Sequence, residues 1–351
     1  MGVISVASGN SCWRGLDYYK NNKVKKLIKI NENEYKSIVK GNSEYEVYLN
    51  TKHVRKSKCN CPYANGKLII CKHIVATYFQ AFPEEAINFE KELAVVIQND
   101  NEKVSIIETI NSINNAGFKN VFVQWYDKKW EHSQEEQVKL CKKFGFNIIF
   151  AHLGYQNINS IWEEGLEGDK LVERYKKDIK DCKENGIPMV VMHLTSKKNA
   201  PRYGEIGLNR IRKITEYAKE LNMKVAFENT KIKGYLEYVL DNIKDDNVGV
   251  CFDAGHNHIH FDDEFNFEFF KDRIFAVHLH DNDKSDDLHL LPFDGTIDWK
   301  YVMTKLKECN YNGPITMELC YRYQYLNMSL DEFYKIGYER GKKLERICIK
   351  D

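Results

Sequence analysis

The chain has 351 residues, an apolar fraction of 43% and a formal net charge of +1. That length suggests about two domains with room for a sizeable core. The sequence has no apolar run of the roughly 18 residues a membrane span requires, and its first twenty residues lack the basic start and apolar core of a secretory signal. A membrane partner is therefore not expected. Ten cysteines, most of them scattered, do not make a disulfide scaffold and fit a reducing, cytoplasmic setting.

The charge is unevenly spread. Residues 1–80 carry 14 Lys and Arg against 5 Asp and Glu, and the remainder carries 38 against 46. A basic small module suggests a polyanion, and a lysine-rich solvated surface accounts for the same count. Within residues 1–90, KVKKLIKI, EYKSIVK and YEVYLN alternate in the manner of half-buried strands, with NENE and KGNSE as turns. After His73, IVATYFQAF has helical spacing and stops near Pro83. Between sheet and helix lie Cys59-Asn-Cys61, nine residues, and Cys71-Lys-His73. Cys59, Cys61, Cys71 and His73 form a closed set of donors suited to a structural zinc ion. A module this small is marginal without such a staple. The stretch from about Gly9 to Phe82 resembles the SWIM zinc finger, through its C-x-C-x9-C-x-H pattern and the strand that precedes it. The resemblance implies a binding module for nucleic acid or protein.

From residue 91 to 351 the pattern changes to short apolar runs alternating with helical segments. The runs are LAVVIQ, NVFVQWYD, NIIFAHL, PMVVMHL, KVAFENT, VGVCFDAGH, IFAVHLHD and PITMEL. Helical segments separate them, FNFEFFKDR being assigned as the one before IFAVHLHD. Eight runs over this length predict a (β/α)8 TIM barrel of the α/β class, with the α+β zinc module as a small N-terminal domain. No glycine-rich phosphate fingerprint follows the first run, which disfavours a doubly wound sheet.

Polar residues recur where the runs end: His152, His193, Glu228, Asp253 with His256, His280, Asp287 with His289, and Glu318. One such residue is ordinarily a hydrogen-bonded core group. Nine in register are hard to explain as core, because a buried unpaired charge costs several kcal/mol. Mixed carboxylates and imidazoles are what a divalent ion binds, and the strand C-termini are where a barrel gathers its site. His278 falls two residues before His280 on the same face and reads as a hydrogen-bonded core residue one layer deeper. His258 and His260 read as surface residues, and Lys197, Lys198 and Arg202 as a solvated loop rather than a phosphate clamp.

The motifs AFENT, FDAGH, HLHDND, DLHLLPFDGTIDW and TMEL resemble the xylose isomerase-like barrels, over about Leu93 to Ile349. These include sugar phosphate isomerases and epimerases and, more distantly, endonuclease IV. The resemblance implies one divalent ion (Mn2+, Co2+, Mg2+ or Zn2+) held by Glu228, Asp253, His280 and Glu318. The two glutamates double as the proton-transfer pair, with His152, His193, His256, Asp287 and His289 on the substrate side. The implied activity moves or inverts a carbon beside a carbonyl of a sugar or sugar phosphate through a cis-enediolate. Two departures separate the chain from the keto-sugar epimerases. Asp286 stands where they carry an arginine, and Phe293-Asp294-Gly295 replaces a Gly-x-Gly. The alternatives are a zinc phosphodiesterase of the endonuclease IV kind acting on abasic DNA, since the same nine residues match that set, and a non-enzymatic ligand sensor.

Overall fold

The computed structural model describes residues 2–98, 104–126, 132–197 and 199–347. Asp127, at the end of the second predicted barrel strand, and Lys198 lie outside the described residues. The chain divides into two compact units, Met1–Lys91 with Glu345–Asp351, and Glu92–Leu344.

In the first unit β1 (Val24–Asn31), β2 (Glu34–Lys40), β3 (Glu44–Asn50) and β4 (Lys58–Cys59) form one antiparallel sheet in chain order. Its helices are α1 (Val3–Val6), α2 (Gly9–Lys20), α3 (Lys72–Ala81) and α4 (Pro83–Phe89). Strand alternation sends Tyr35, Ser37, Val39, Val47 and Leu49 to a buried face. The Ser37 hydroxyl meets that of Thr77 on α3 at 2.6 Å. Helix α2 is an addition to the expected elements: its stretch holds two glycines, although Cys12, Trp13 and Leu16 recur at helical spacing. The Ser8 side chain accepts from the Ser11 backbone N–H at 3.3 Å and caps it. Gly15 then lets it lie against α3, because a Cβ there would stand 2.5 Å from Val75 Cβ. Pro83 ends one helix and also opens the next, in whose first turn its missing N–H costs nothing.

The second unit is the barrel. Its parallel strands are β5 (Leu93–Ile97), β6 (Asn120–Trp125), β7 (Asn147–Leu153), β8 (Met189–His193), β9 (Lys224–Glu228), β10 (Val248–Asp253), β11 (Ile274–His278) and β12 (Ile315–Met317). They pair in the order β11-β10-β9-β8-β7-β6-β5-β12, and a parallel bridge from Leu279 to Met317 joins the two ends. The helices are α5 (Ile106–Ala116), α6 (Gln134–Lys143), α7 (Leu166–Glu184), α8 (Glu205–Glu220), α9 (Tyr235–Asn242), α10 (Ala254–His260), α11 (Trp299–Glu308) and α12 (Leu330–Ile347). Capping boxes at Ser105 with Glu108 and Ser133 with Glu136 start α5 and α6. The barrel interior is apolar, with Val96, Phe122, Phe150, Met189 and Val191 at its centre.

Two expectations are corrected. The segment FNFEFFKDR is turns rather than a helix, with Asp272 at φ 63. Its Phe265, Phe267 and Phe270 cluster with one another, and Phe265 and Phe267 also pack on Phe252 of β10. Aromatic packing sets this segment, and helical spacing does not. The helix after β10 is instead α10, directly on the strand end, with Asp253 as its N-cap. No helix among the described residues is long and apolar enough to cross a membrane.

The close approach at Gly15 yields a test. Gly15→Ala forces α2 and α3 apart and is expected to destabilise the first unit by about 1–3 kcal/mol, the usual range for overpacking. Hydrogen exchange at the backbone amides of α2 and α3 in the full chain measures it.

Candidate functional site

Three strands place acids at one end of the barrel. Glu228 ends β9, Asp253 ends β10 and Glu318 follows β12. All three are buried, Asp253 completely. Three carboxylates cannot share an apolar interior without compensating charge. Imidazoles surround them.

Glu228 is the most enclosed. Its Oε2 lies 3.0 Å from His152 Nε2 and 3.3 Å from His193 Nε2. Its Oε1 lies 3.1 Å from His256 Nδ1. Burial by itself raises the pKa of this carboxyl, but His278, His193 and His152 together outweigh it and hold Glu228 well below the carboxylate range. Asp253 accepts the His256 backbone N–H at 2.6 Å and sits 3.1 Å from His280 Nε2. Burial opposes its ionisation too, and His256 and His280 overcome that. Asn229 fixes the Asp253 backbone, accepting its N–H at 2.7 Å and donating to its carbonyl at 2.9 Å.

The sequence placed His280 among the metal ligands and His278 as a hydrogen-bonded core residue. The structure brings both rings to the acids, His280 with its Nε2 3.1 Å from Asp253 and His278 alongside. Donor atoms of Glu228, Asp253, His278 and Glu318 lie within 4.8 Å of one another. His278 Nδ1 is 3.4 Å from Glu318 Oε2, 3.5 Å from Glu228 Oε2 and 3.8 Å from Asp253 Oδ2. Its ring is fully buried, stacks on Phe122 at 5.0 Å, and neither nitrogen has a hydrogen-bond partner. His280 also stacks on His289 at 4.0 Å and shares a donor cluster with His289 and Glu318. Register is the cause, since His278 stands abreast of Asp253 across the β10–β11 pair. Gly255 leaves room for the His280 ring, because a Cβ there would fall 2.0 Å from its Cε1.

The remaining predicted residues converge around this core. His152, His193 and Glu228 form a further donor cluster. Asp287 bridges His256 Nε2 at 3.3 Å and His289 Nε2 at 3.2 Å. Burial disfavours a charged Asp287, but His289 and His256 hold it far below its ordinary range, and Asp287 in turn lifts His289 to about 9. Asp281 anchors the connection after β11, accepting from Trp299 Nε1 at 2.8 Å, Phe293 N–H at 2.9 Å and Ile297 N–H at 3.1 Å. Sequence reasoning missed Tyr155, whose half-exposed ring stacks on His193 at 4.2 Å. Its place two residues past the strand end was the available signal. His258 is buried rather than superficial, held by Asp263 at 2.8 Å and Thr296 at 2.8 Å. Lys197 and Arg202 are exposed, in keeping with a solvated loop.

In the first unit Cys59, Cys61, Cys71 and His73 are all buried, with donor atoms within 4.8 Å of one another. The neighbouring Cys59 and His73 favour the thiolate of Cys71, lowering its pKa against the opposing effect of burial. Tyr45 stacks on His73 at 4.5 Å, and His73 Nε2 has no hydrogen-bond partner. The donor set fits zinc.

Both units resemble known proteins. The SWIM zinc-finger model matches residues 45–81, and the xylose isomerase-like TIM barrel model matches residues 110–339. Protein y4fM of Sinorhizobium fredii, itself uncharacterized, is 31% identical over 162 residues, 42% of this chain and 52% of that one. The matched segment thus spans about half the length of that relative. An inosose isomerase of Halalkalibacterium halodurans is 22% identical over 262 residues, 69% of this chain and 90% of that protein. The crystal structure of a D-tagatose 3-epimerase-like protein superposes with a TM-score of 0.54 at 22% identity, covering 72% of this chain and 98% of the other. With two thirds of its length matched by the family model and the strand-end acids gathered at one site, the chain belongs to the xylose isomerase-like TIM barrel family.

Proposed function

We propose that the barrel is a metal-dependent isomerase or epimerase of a sugar or sugar phosphate. The observation that carries this reading is the meeting of Glu228 and Glu318, from β9 and β12, in one buried donor set with Asp253 and His278. Those four residues would hold a divalent ion, with His280, 3.1 Å from Asp253, as the ligand that the resemblance implies beside His278. When bound, such an ion polarises the substrate's carbonyl and neighbouring hydroxyl. The chain supplies the rest. Glu228 has both oxygens engaged by imidazoles and is held ionised, so it takes up a proton reluctantly. Glu318 has looser neighbours, His278 at 3.4 Å and His289 at 3.8 Å, and is the better first acceptor of the proton beside the carbonyl. Glu228 then serves as the partner across the substrate. His256, Asp287 and His289 form a connected rim that can orient hydroxyls, and Tyr155 offers a flat apolar wall beside them. The inosose isomerase supports the same substrate class.

A second reading has its own observation. His152, His193 and Glu228 make one flanking donor cluster, and Asp287 joins His256 to His289 as another. Three such sets could hold several zinc ions for hydrolysis of a phosphodiester, as in the endonuclease IV kind of enzyme.

For the first unit we propose a structural zinc ion and a polyanionic partner, a nucleic acid before an acidic protein. Strand register sets Ile28, Lys36, Tyr48 and Lys58 abreast on the face turned away from α3. They line a concavity of about 1100 Å³ that also takes in Lys26, Arg55, Lys56 and Lys67, with Glu46 as its one acid. Cations around an apolar and aromatic floor suit a nucleic acid strand.

Three measurements test these readings. Glu228→Gln and Glu318→Gln are each expected to lower kcat on an inosose or ketose by about 10²–10⁴, with an unchanged circular dichroism spectrum. Undiminished turnover in either would remove the proton-shuttle assignment. Elemental analysis of the dialysed chain should find one zinc that is lost in Cys59→Ser and one further divalent ion that is not. Two or three zinc ions surviving Cys59→Ser would favour the phosphodiesterase and send the work to abasic duplexes. For the finger, Lys36→Glu with Lys58→Glu should weaken single-stranded DNA binding at least tenfold and flatten its salt dependence by about two ions. An unchanged anisotropy titration would exclude this face.

A further inference from the structure

Below the four-donor set lies a side chain that the reading above leaves unused. Cys251 sits on β10 two residues before Asp253, so it points to the same interior face one layer deeper. Across the β9–β10 pair it stands directly abreast of Glu228. It is fully buried within the apolar barrel interior, beside Val96, Val191, Ala226 and Ala276. Among the described residues of that interior cluster it carries the only ionisable side chain.

Its sulfur has two potential co-ligands. Cys251 Sγ, a Glu228 carboxylate oxygen and a His278 ring nitrogen lie within 4.8 Å of one another. This trio shares Glu228 and His278 with the upper set, and replaces Asp253 and Glu318 by sulfur. His278 supplies the second observation. Its imidazole is entirely buried, and its Nδ1 lies 3.4 Å from Glu318, 3.5 Å from Glu228 and 3.8 Å from Asp253, with no hydrogen bond of good geometry to any of them, while the Cys251 thiol is a further neighbour. A buried imidazole ringed by carboxylates and a thiol at distances too long for good hydrogen bonds is a donor that a bound cation would satisfy.

We propose that Cys251 is a further ligand of that same barrel ion, adding its sulfur beside Glu228 and His278 on the deep side of the donor set and so selecting zinc, cobalt(II) or another thiophilic divalent ion over magnesium and manganese. The inference rests on the metal centre proposed above and deepens it by naming the class of ion. Oxygen and nitrogen donors alone accept magnesium, manganese, cobalt or zinc with little distinction, whereas a thiolate favours the softer ions. The sulfur–metal bond forms as the thiol proton leaves to solvent, and no electron changes hands.

Cadmium-113 NMR of the full chain tests this, because the cadmium shift reports how many sulfurs are bound. The cadmium-loaded chain should show a finger resonance, with three sulfurs, and a barrel resonance downfield of the range for oxygen and nitrogen donors alone. Cys251→Ser and Cys251→Ala should each return the barrel resonance to that range and leave the finger resonance in place as a control for loading, with an unchanged circular dichroism spectrum as the control for barrel folding. In parallel, the preference of the barrel for zinc over magnesium should fall at least tenfold in both variants. A wild-type barrel resonance already in the oxygen and nitrogen range overturns the proposal without any variant. So does a barrel resonance that both variants leave unmoved. No barrel resonance at all would overturn the metal centre itself, which separates the two failures.

Discussion

The barrel depends on one electrostatic constraint. Three carboxylates, Glu228, Asp253 and Glu318, are sunk in the end of an otherwise apolar cylinder. Each would be neutralised by burial if nothing compensated. Six imidazoles, from His152, His193, His256, His278, His280 and His289, are arranged about them, with the contacts to Glu228 and Asp253 as short as 3.0 Å and 3.1 Å. The same crowding of acids and imidazoles is a donor set of the kind that could hold a cation. Stability of the strand ends and capacity for metal chemistry are therefore the same physical problem, and the protein cannot relax one without altering the other.

A site this charged needs rigid supports, and these come from groups that bind no substrate. Asn229 clamps the Asp253 backbone between β9 and β10. Asp253 also caps α10, so its carboxylate orientation and the position of His256 are set together. Asp281 collects three N–H donors from the connection that carries Asp287 and His289. The Phe293-Asp294-Gly295 departure is accommodated there, because Gly295 leaves space that a Cβ would close to 2.3 Å from Asp281 Oδ1. Asp294 itself accepts from Tyr325 and Arg340, which ties the connection to the end of the barrel.

Much of this was legible in the chain before the structure. Buried parallel strands are continuous apolar runs, so their ends are marked, and the acids and imidazoles at those ends had to meet if the barrel closed. The quartet Cys59, Cys61, Cys71 and His73 was legible for the same reason: its spacing is local. What stayed hidden was non-local. His278 and His280 face one side of β11, and nothing in the chain says which of them comes level with Asp253. Strand register decides that, and register is a property of two strands at once. The Phe-rich stretch before β11 misled for a related reason. Its aromatic spacing imitates a helix, but the rings are placed by packing on Phe252. Helix α2 was missed because its Gly15 serves contact with α3 rather than helix propensity.

The two units solve the problem of a polar cluster in opposite ways. In the first, three sulfurs and one imidazole lie close together under a buried shell, with Tyr45 closing one side of His73. Such a set is complete when it binds one ion and leaves no position for a substrate. In the barrel the donors outnumber what one ion can use, they overlap through Glu228, His278 and Glu318, and the outer members open toward Asp287 and the exposed edge of Tyr155. Excess donors are costly for a structural site, since each idle one is a buried charge. They are useful only where ligands must exchange, where a proton must be taken and returned, or where a second ion must enter. The oversupply at the strand ends is thus the argument for chemistry there, and the tidy stoichiometry of the finger is the argument for scaffolding.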